Sequence, residues 1–278
     1  MHPIFVRDKL TQFLKEDIGS GDLTSEAIFT EKEQGTAAFY AKEAGILAGT
    51  TIIEEAYRIL DPELEVKLLK DDREAVQPSE EIAVVTGSVR SILTGERVIL
   101  NLLQRMSGIA TITRKAVSQL NSSHTKICDT RKTTPGLRVF EKYAVTCGGG
   151  YNHRKGLFDG VMIKDNHIAA CGSIRKAVQH VREQLGPMVK IEVETESEQE
   201  VIEAVEANAD IIMFDNRSPE EIQAFIKHVP ASIVTEASGG ITMENLPAYR
   251  QTGVDYISLG FLTHSAPSLD ISLLMGGE

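Results

Sequence analysis

The strongest constraint on this chain is a rhythm that begins near residue 126 and continues to residue 260. A short apolar run ends in a charged residue or glycine, a helical segment follows, and another apolar run begins. Six runs read as strands: "KICDTRK", "DGVMIKDN", "VKIEVET", "DIIMFDN", "SIVTEASGG" and "VDYISLG". Helical segments between them carry serine start signals: Ser173 before "IRKAVQHVREQL", Ser197 before "EQEVIEAVEANA", and Ser218-Pro219 before "EEIQAFIKHV". Apolar strands alternating with amphipathic helices predict a parallel sheet covered by helices. A closed barrel and an open doubly wound sheet both fit, and both gather their chemistry at the C-terminal edge of the sheet.

Read in order, the C-terminal strand ends present Arg131 and Lys132, then Lys164, Glu194, Asp215, then Glu236 with Ser238-Gly239-Gly240, then Gly260. A single charge at a strand end is ordinarily the first solvated residue after a buried run. Six consecutive ends carrying charge or glycine form a series, and in a barrel they would converge on one pocket.

The first hundred residues read differently. An amphipathic opening helix, "MHPIFVRDKLTQFLKEDIG", precedes alternating apolar runs and the helical stretch "TTIIEEAYRIL", a pattern that suggests a small α+β domain. A long helix from about Leu93 to Leu120 joins the halves, with an irregularity expected at Ser107 and Gly108. No run approaches membrane-span length and the start does not resemble a signal peptide, so a cytoplasmic protein without a membrane partner is expected. Three irregularly spaced cysteines, Cys128, Cys147 and Cys171, suit neither a disulfide framework nor a closed zinc site.

The formal net charge of -11 argues against general nucleic-acid binding. Yet residues 126–164 hold eight Lys or Arg (126, 131, 132, 138, 142, 154, 155, 164) against three acids, together with His153. Such a local cluster suggests an anionic substrate, and arginine suits planar carboxylates through its paired donors. A solvated basic face accounts well for Lys126, Lys142 and Lys155, but less well for Arg131, Lys132 and Lys164 beside buried strands. Glu194 and Asp215 facing phosphate-seeking groups make a reasonable Mg²⁺ site, with general acid or base work as the competing role. Gly239-Gly240, followed by an expected helix start at Thr242, would let backbone amides approach a phosphate.

Eight segments together resemble one family: "EDIGSGDLTS" (16–25), "LTGERVILNLLQRMSGIAT" (93–111), "DTRKTTPGLRVFEKYAVTCGGGYNHR" (129–154), "VMIKDNH" (161–167), "EVET" (192–195), "FDN" (214–216), "EASGGIT" (236–242) and "TGVDYISLGFLTHS" (252–265). The family is nicotinate-nucleotide pyrophosphorylase (carboxylating), also called quinolinate phosphoribosyltransferase. The resemblance spans nearly the whole chain, in the family's order. It implies an N-terminal α/β sandwich domain at 1–105, to which 267–278 returns, and a C-terminal incomplete α/β barrel of six or seven strands at 106–266.

The resemblance also implies a pentosyltransferase of de novo NAD biosynthesis. Quinolinate and 5-phosphoribosyl 1-pyrophosphate would give nicotinate mononucleotide, pyrophosphate and CO2. On that resemblance quinolinate is held by Arg131, Lys132, His153, Arg154, Lys164 and, from a neighbouring subunit of a dimer or hexamer, Arg97. Glu194 and Asp215 face the ribose and Mg²⁺, the metal being held through water, while Ser238, Gly239, Gly240, Gly260 and His264 match the phosphate loops. Lys132, Lys164, Glu194 and Asp215 are the expected catalytic residues. The alternatives are a nicotinate phosphoribosyltransferase of the same fold, a Schiff-base aldolase using Lys164, and a non-catalytic phosphosugar-binding protein.

Overall fold

The computed structural model describes residues 1–276 of the chain. In chain order its helices and strands are α1 (Pro3–Ile18), α2 (Leu23–Ile28), β1 (Gln34–Ala41), β2 (Gly45–Ile46), α3 (Thr50–Leu60), β3 (Glu65–Leu68), β4 (Ala75–Val76), β5 (Glu81–Ser88) and α4 (Val89–Leu120). There follow β6 (Lys126–Cys128), α5 (Arg138–Cys147), β7 (Val161–Ile163), α6 (Asp165–Cys171), α7 (Ile174–Gln184), β8 (Ile191–Thr195), α8 (Glu198–Glu206) and β9 (Ile211–Asp215). The last are α9 (Pro219–Phe225), β10 (Val234–Ser238), β11 (Tyr256–Ser258), α10 (Phe261–His264) and β12 (Ile271–Met275). The chain forms two compact units, one of residues 1–114, 135–149 and 265–278, the other of 115–134 and 150–264. The expected domain boundary at 105/106 lies inside α4.

The first unit is built on a four-stranded antiparallel sheet in the order β12-β1-β5-β3. β12 pairs with β1 from Ala37↔Met275 to Ala41↔Ile271, and residues 277–278 of the expected returning tail lie outside the described residues. Leu10 and Leu14 of α1, Ile52, Ile53 and Tyr57 of α3, and Phe39 of β1 are buried, as the apolar faces of amphipathic elements must be. Asp22 in the "EDIGSGDLTS" stretch caps α2, accepting from the Thr24 and Ser25 N–H groups at 3.1 and 3.0 Å.

The irregularity expected at Ser107 and Gly108 is absent, for α4 runs unbroken through both. Gly108 serves close approach instead: a Cβ there would lie 1.9 Å from the carbonyl oxygen of Pro267. A second correction concerns Lys142, which is not on a solvated face but buried at 3% exposure on α5.

The second unit contains a six-stranded parallel sheet in the order β6-β11-β10-β9-β8-β7. All six strands read from the sequence are present, and the sheet with its flanking helices is an incomplete barrel, β6 and β7 being its edges. Alternation along each strand sets what faces where. Val193, Ile212, Phe214, Ala237 and Ile257 are buried against the helix layer, while the alternate set, including Glu194, Met213, Asp215, Glu236 and Ser238, lines a cavity. The serine caps form as read: Ser173, Ser197 and Ser218 hydroxyls accept from the Lys176, Glu200 and Glu221 N–H groups at 3.2, 3.3 and 3.2 Å.

No α-helix starts at Thr242. Thr242 and Asn245 exchange hydrogen bonds, the Thr242 N–H donating to Asn245 Oδ1 at 2.7 Å and the Asn245 N–H to Thr242 Oγ1 at 3.4 Å, and only a 3₁₀ helix over Leu246–Gln251 follows. Short polar side chains that satisfy their own backbone compete with helix propagation in this way.

Candidate active site

The C-terminal ends of β6 to β11 surround a cavity of about 750 Å³ in the second unit. Of the residues predicted from sequence, Arg131, Lys132, His153, Arg154, Lys164, Glu194, Asp215, Ser238, Gly239, Gly240, Gly260 and His264 all line it. Arg97 does not; it is exposed on α4 in the first unit.

The loop between α5 and β7 is held by buried Asp129, just past β6, whose carboxylate accepts from Asn152 Nδ2 at 2.6 Å and from the His153 N–H at 2.9 Å. His153 in turn uses both ring nitrogens. Its Nδ1 accepts the Arg154 N–H at 2.8 Å, and its Nε2 lies 2.8 Å from Glu192 Oε2 and 3.6 Å from Glu236 Oε2. Since a backbone N–H can only donate, the ring hydrogen sits on Nε2 and points at the two buried carboxylates. His153, Glu192 and Glu236 place three donor atoms within 4.8 Å of one another, a spacing that could suit a metal ion. The tautomer removes the Nε2 lone pair that such an ion would need.

Four cations converge above this cluster. Arg154 Nη1 donates to the Gly160 carbonyl at 3.1 Å, and Lys164 Nζ donates to Glu194. Burial, and next the charge of Arg131, push the Arg154 guanidinium below its ordinary pKa. Arg131 Nε is buried without a hydrogen-bond partner, and a buried unmatched donor of a charged group is a demand for an anion. Burial raises the Glu194 carboxyl against the pull of Lys164, and the neighbouring Asp215 charge adds to the rise.

The glycine loops meet their steric reasons here. Gly239 has φ +83°, and a Cβ there would fall 2.2 Å from Asn216 Oδ1. A Cβ on Gly260 would crowd Lys132 Cδ at 3.1 Å and His264 Nε2 at 3.2 Å. Thr263 Oγ1 donates to the Lys132 carbonyl at 2.7 Å, tying the last loop to the first cations.

Sequence reasoning passed over Thr130, Asn216, Thr242 and Ser258, which also line the cavity, and left Glu192 unassigned. It placed Glu236 at a strand end, whereas Glu236 is inside the strand at 3% exposure. The available signal was period two: in "IEVET" and "VTEAS" an acid sits on the inward set of a short strand.

Residues 109–274 match the family described as quinolinate phosphoribosyl transferase, C-terminal domain, and residues 22–107 the corresponding N-terminal domain. The chain belongs to the quinolinate phosphoribosyltransferase family. It is 56% identical to a probable nicotinate-nucleotide pyrophosphorylase [carboxylating] of Bacillus subtilis, over 98% of this chain and 94% of that protein. It is 39% identical to quinolinate phosphoribosyltransferase [decarboxylating] 2, mitochondrial, of Nicotiana glauca, over 100% of this chain and 84% of that protein. Among solved structures, NadC from Streptococcus pyogenes superposes with a TM-score of 0.95 at 43% identity, covering 100% of this chain and 99% of that one. The cavity of this family member lies outside the carboxyl ends of the strands, the edge at which parallel α/β barrels and sheets alike concentrate function.

Proposed function

We propose that the chain transfers the phosphoribosyl group of 5-phosphoribosyl 1-pyrophosphate to quinolinate with loss of CO2, giving nicotinate mononucleotide and pyrophosphate. The observation that carries this reading is the cation set Arg131, Lys132, Arg154 and Lys164 in one cavity, with the Arg131 Nε donor buried and unmatched. A dianion with adjacent carboxylates satisfies that set, and nicotinate, with one carboxylate, satisfies it less well. Lys164 Nζ is engaged by the Glu194 carboxylate among three further cations rather than presented alone to a carbonyl carbon, which counts against the aldolase.

In this reading Arg131, Lys132, Arg154 and Lys164 hold the carboxylates, His153 fixes Arg154 from behind, and Arg97 comes from a second copy in a dimer or hexamer in the cytoplasm. Ser238, Gly239, Gly240, Gly260 and His264 receive the phosphates of the donor. Glu194 and Asp215 fit a Mg²⁺ site, because this hard cation takes one or two carboxylates, waters and substrate phosphates. When bound there through water, it would neutralise charge on the departing pyrophosphate. The two carboxylates also stabilise the positive charge that develops at the anomeric carbon as the ring nitrogen attacks.

Decarboxylation follows ribosylation, since the ring nitrogen becomes a cationic electron sink only when bonded to ribose. Lys132 and Lys164 keep the carboxylates oriented for it. The test is to mix the protein with quinolinate, 5-phosphoribosyl 1-pyrophosphate and Mg²⁺, and follow CO2 and nicotinate mononucleotide, with nicotinate as the parallel substrate. CO2 and product from quinolinate alone are expected; turnover of nicotinate alone would move the chain to the sister activity.

A further inference from the structure

Decarboxylation leaves an electron pair on C2 that must receive a proton, and the cations around the substrate are occupied in holding carboxylates. The cavity floor offers a different group. Glu236 lines the substrate cavity and also a second cavity of about 320 Å³, with which the first shares His153, Arg154 and Glu236. That second cavity reaches Val161, Ile211, Val234 and Tyr256, the first residues of β7, β9, β10 and β11, so it opens at the opposite edge of the barrel. Glu236 thus stands between the substrate and a second, independent mouth.

Its surroundings favour a held proton. Glu192 Oε1 is buried without a hydrogen-bond partner, and Glu236 Oε1 has the Ser258 hydroxyl as its one polar neighbour, which with the charge of His153 only partly offsets its burial. The groups facing it are Glu192 and Glu194 from β8, His153 from the loop before β7, Ser258 from β11, and the Cys128 thiol from β6, 4.0 Å from Oε2. Burial, and next the charge of Glu192, raise the Glu236 carboxyl to about 8. Near neutral pH it is therefore an acid with a proton to give.

We propose that Glu236 is the general acid that protonates C2 of the pyridine ring after CO2 leaves; this rests on the quinolinate reading above. The bond between C2 and the carboxylate carbon breaks, its electron pair stays on C2, and CO2 departs. The Glu236 O–H proton then moves to C2, forming the C–H bond and leaving a carboxylate, which takes one proton from bulk solvent, relayed by water in the second cavity; that proton is the one the decarboxylation consumes overall. Phosphates and ribose filling the first mouth do not obstruct that route.

The test compares wild type, Glu236→Gln and Glu236→Asp for CO2 release at saturating substrates and for quinolinate affinity by calorimetry, with thermal unfolding as a control on folding. For Glu236→Gln, kcat is expected to fall about 10²-fold, the usual contribution of a positioned general acid, with the quinolinate Kd within about threefold. In wild type kcat should fall as pH rises through the Glu236 titration; Glu236→Asp should keep that alkaline fall at reduced kcat, and Glu236→Gln should lose it. A folded Glu236→Gln protein with kcat within about threefold of wild type, or one that changes Kd alone, overturns the role of Glu236 and leaves the quinolinate activity standing. Wild type that releases no CO2 from quinolinate overturns the underlying reading instead.

Discussion

His153 holds the Arg154 N–H on its Nδ1 at 2.8 Å while its Nε2 faces Glu192 at 2.8 Å, so one imidazole ties a cavity-lining arginine to the floor of the barrel. His153→Ala removes both partners at once. It is expected to lower stability by about 1–3 kcal/mol, since it leaves a buried carboxylate oxygen and a backbone donor unmatched. Quinolinate affinity should fall with it, through displaced Arg154; urea unfolding and calorimetric titration read the two effects.

Gly108→Ala places a methyl against the Pro267 carbonyl oxygen, which would lie 1.9 Å away. Backbone on both sides has to move, so a loss of about 2–4 kcal/mol is expected, in the range of severe overpacking. Gly136→Ala makes a useful contrast: nothing lies within 4 Å of its Cβ, but its φ of +85° leaves conformational strain alone. Its loss should stay near 1 kcal/mol, about the cost of a left-handed non-glycine residue. Denaturant titration of both variants separates crowding from strain.

Glu236 also makes stability depend on pH. Its folded pKa, about 8, lies above the ordinary glutamate value, so the folded state binds this proton more tightly than the unfolded chain does. The contribution is fully present below the unfolded pKa and is lost as pH rises through about 8. Between pH 6 and pH 9 the Tm should therefore fall, and Glu236→Gln should flatten that slope by a few degrees. Differential scanning calorimetry across the pH range checks the sign.

Arg97 is exposed on α4 and absent from the cavity of its own chain. If a second copy supplies it, Arg97→Ala and Lys132→Ala proteins are each nearly inactive, yet mixing them after subunit exchange restores some sites. For a symmetric dimer, roughly a quarter of all sites in an equal mixture would carry both native residues. No recovery on mixing, with exchange verified by mass spectrometry, would place Arg97 outside the partner's site.

Much of this molecule was legible in one dimension. The six strands from "KICDTRK" to "VDYISLG", the serine caps and the gathering of Arg131, Lys132, Lys164, Glu194 and Asp215 followed from periodicity and from the polarity of strand ends, because a parallel sheet carries its chemistry on one edge whatever its exact closure. Local chemistry also decided the Asp22 cap. What sequence could not decide was set by contacts between distant residues: Gly108 looked like a kink until Pro267 was seen lying against it, and Lys142 looked solvated until its helix was placed. The same holds for Glu192 and Glu236. Two glutamates 44 positions apart in the chain share one imidazole only because β8 and β10 turn the same face inward, and the curling of the sheet, which no local pattern encodes, withdraws both from water and so raises the Glu236 carboxyl.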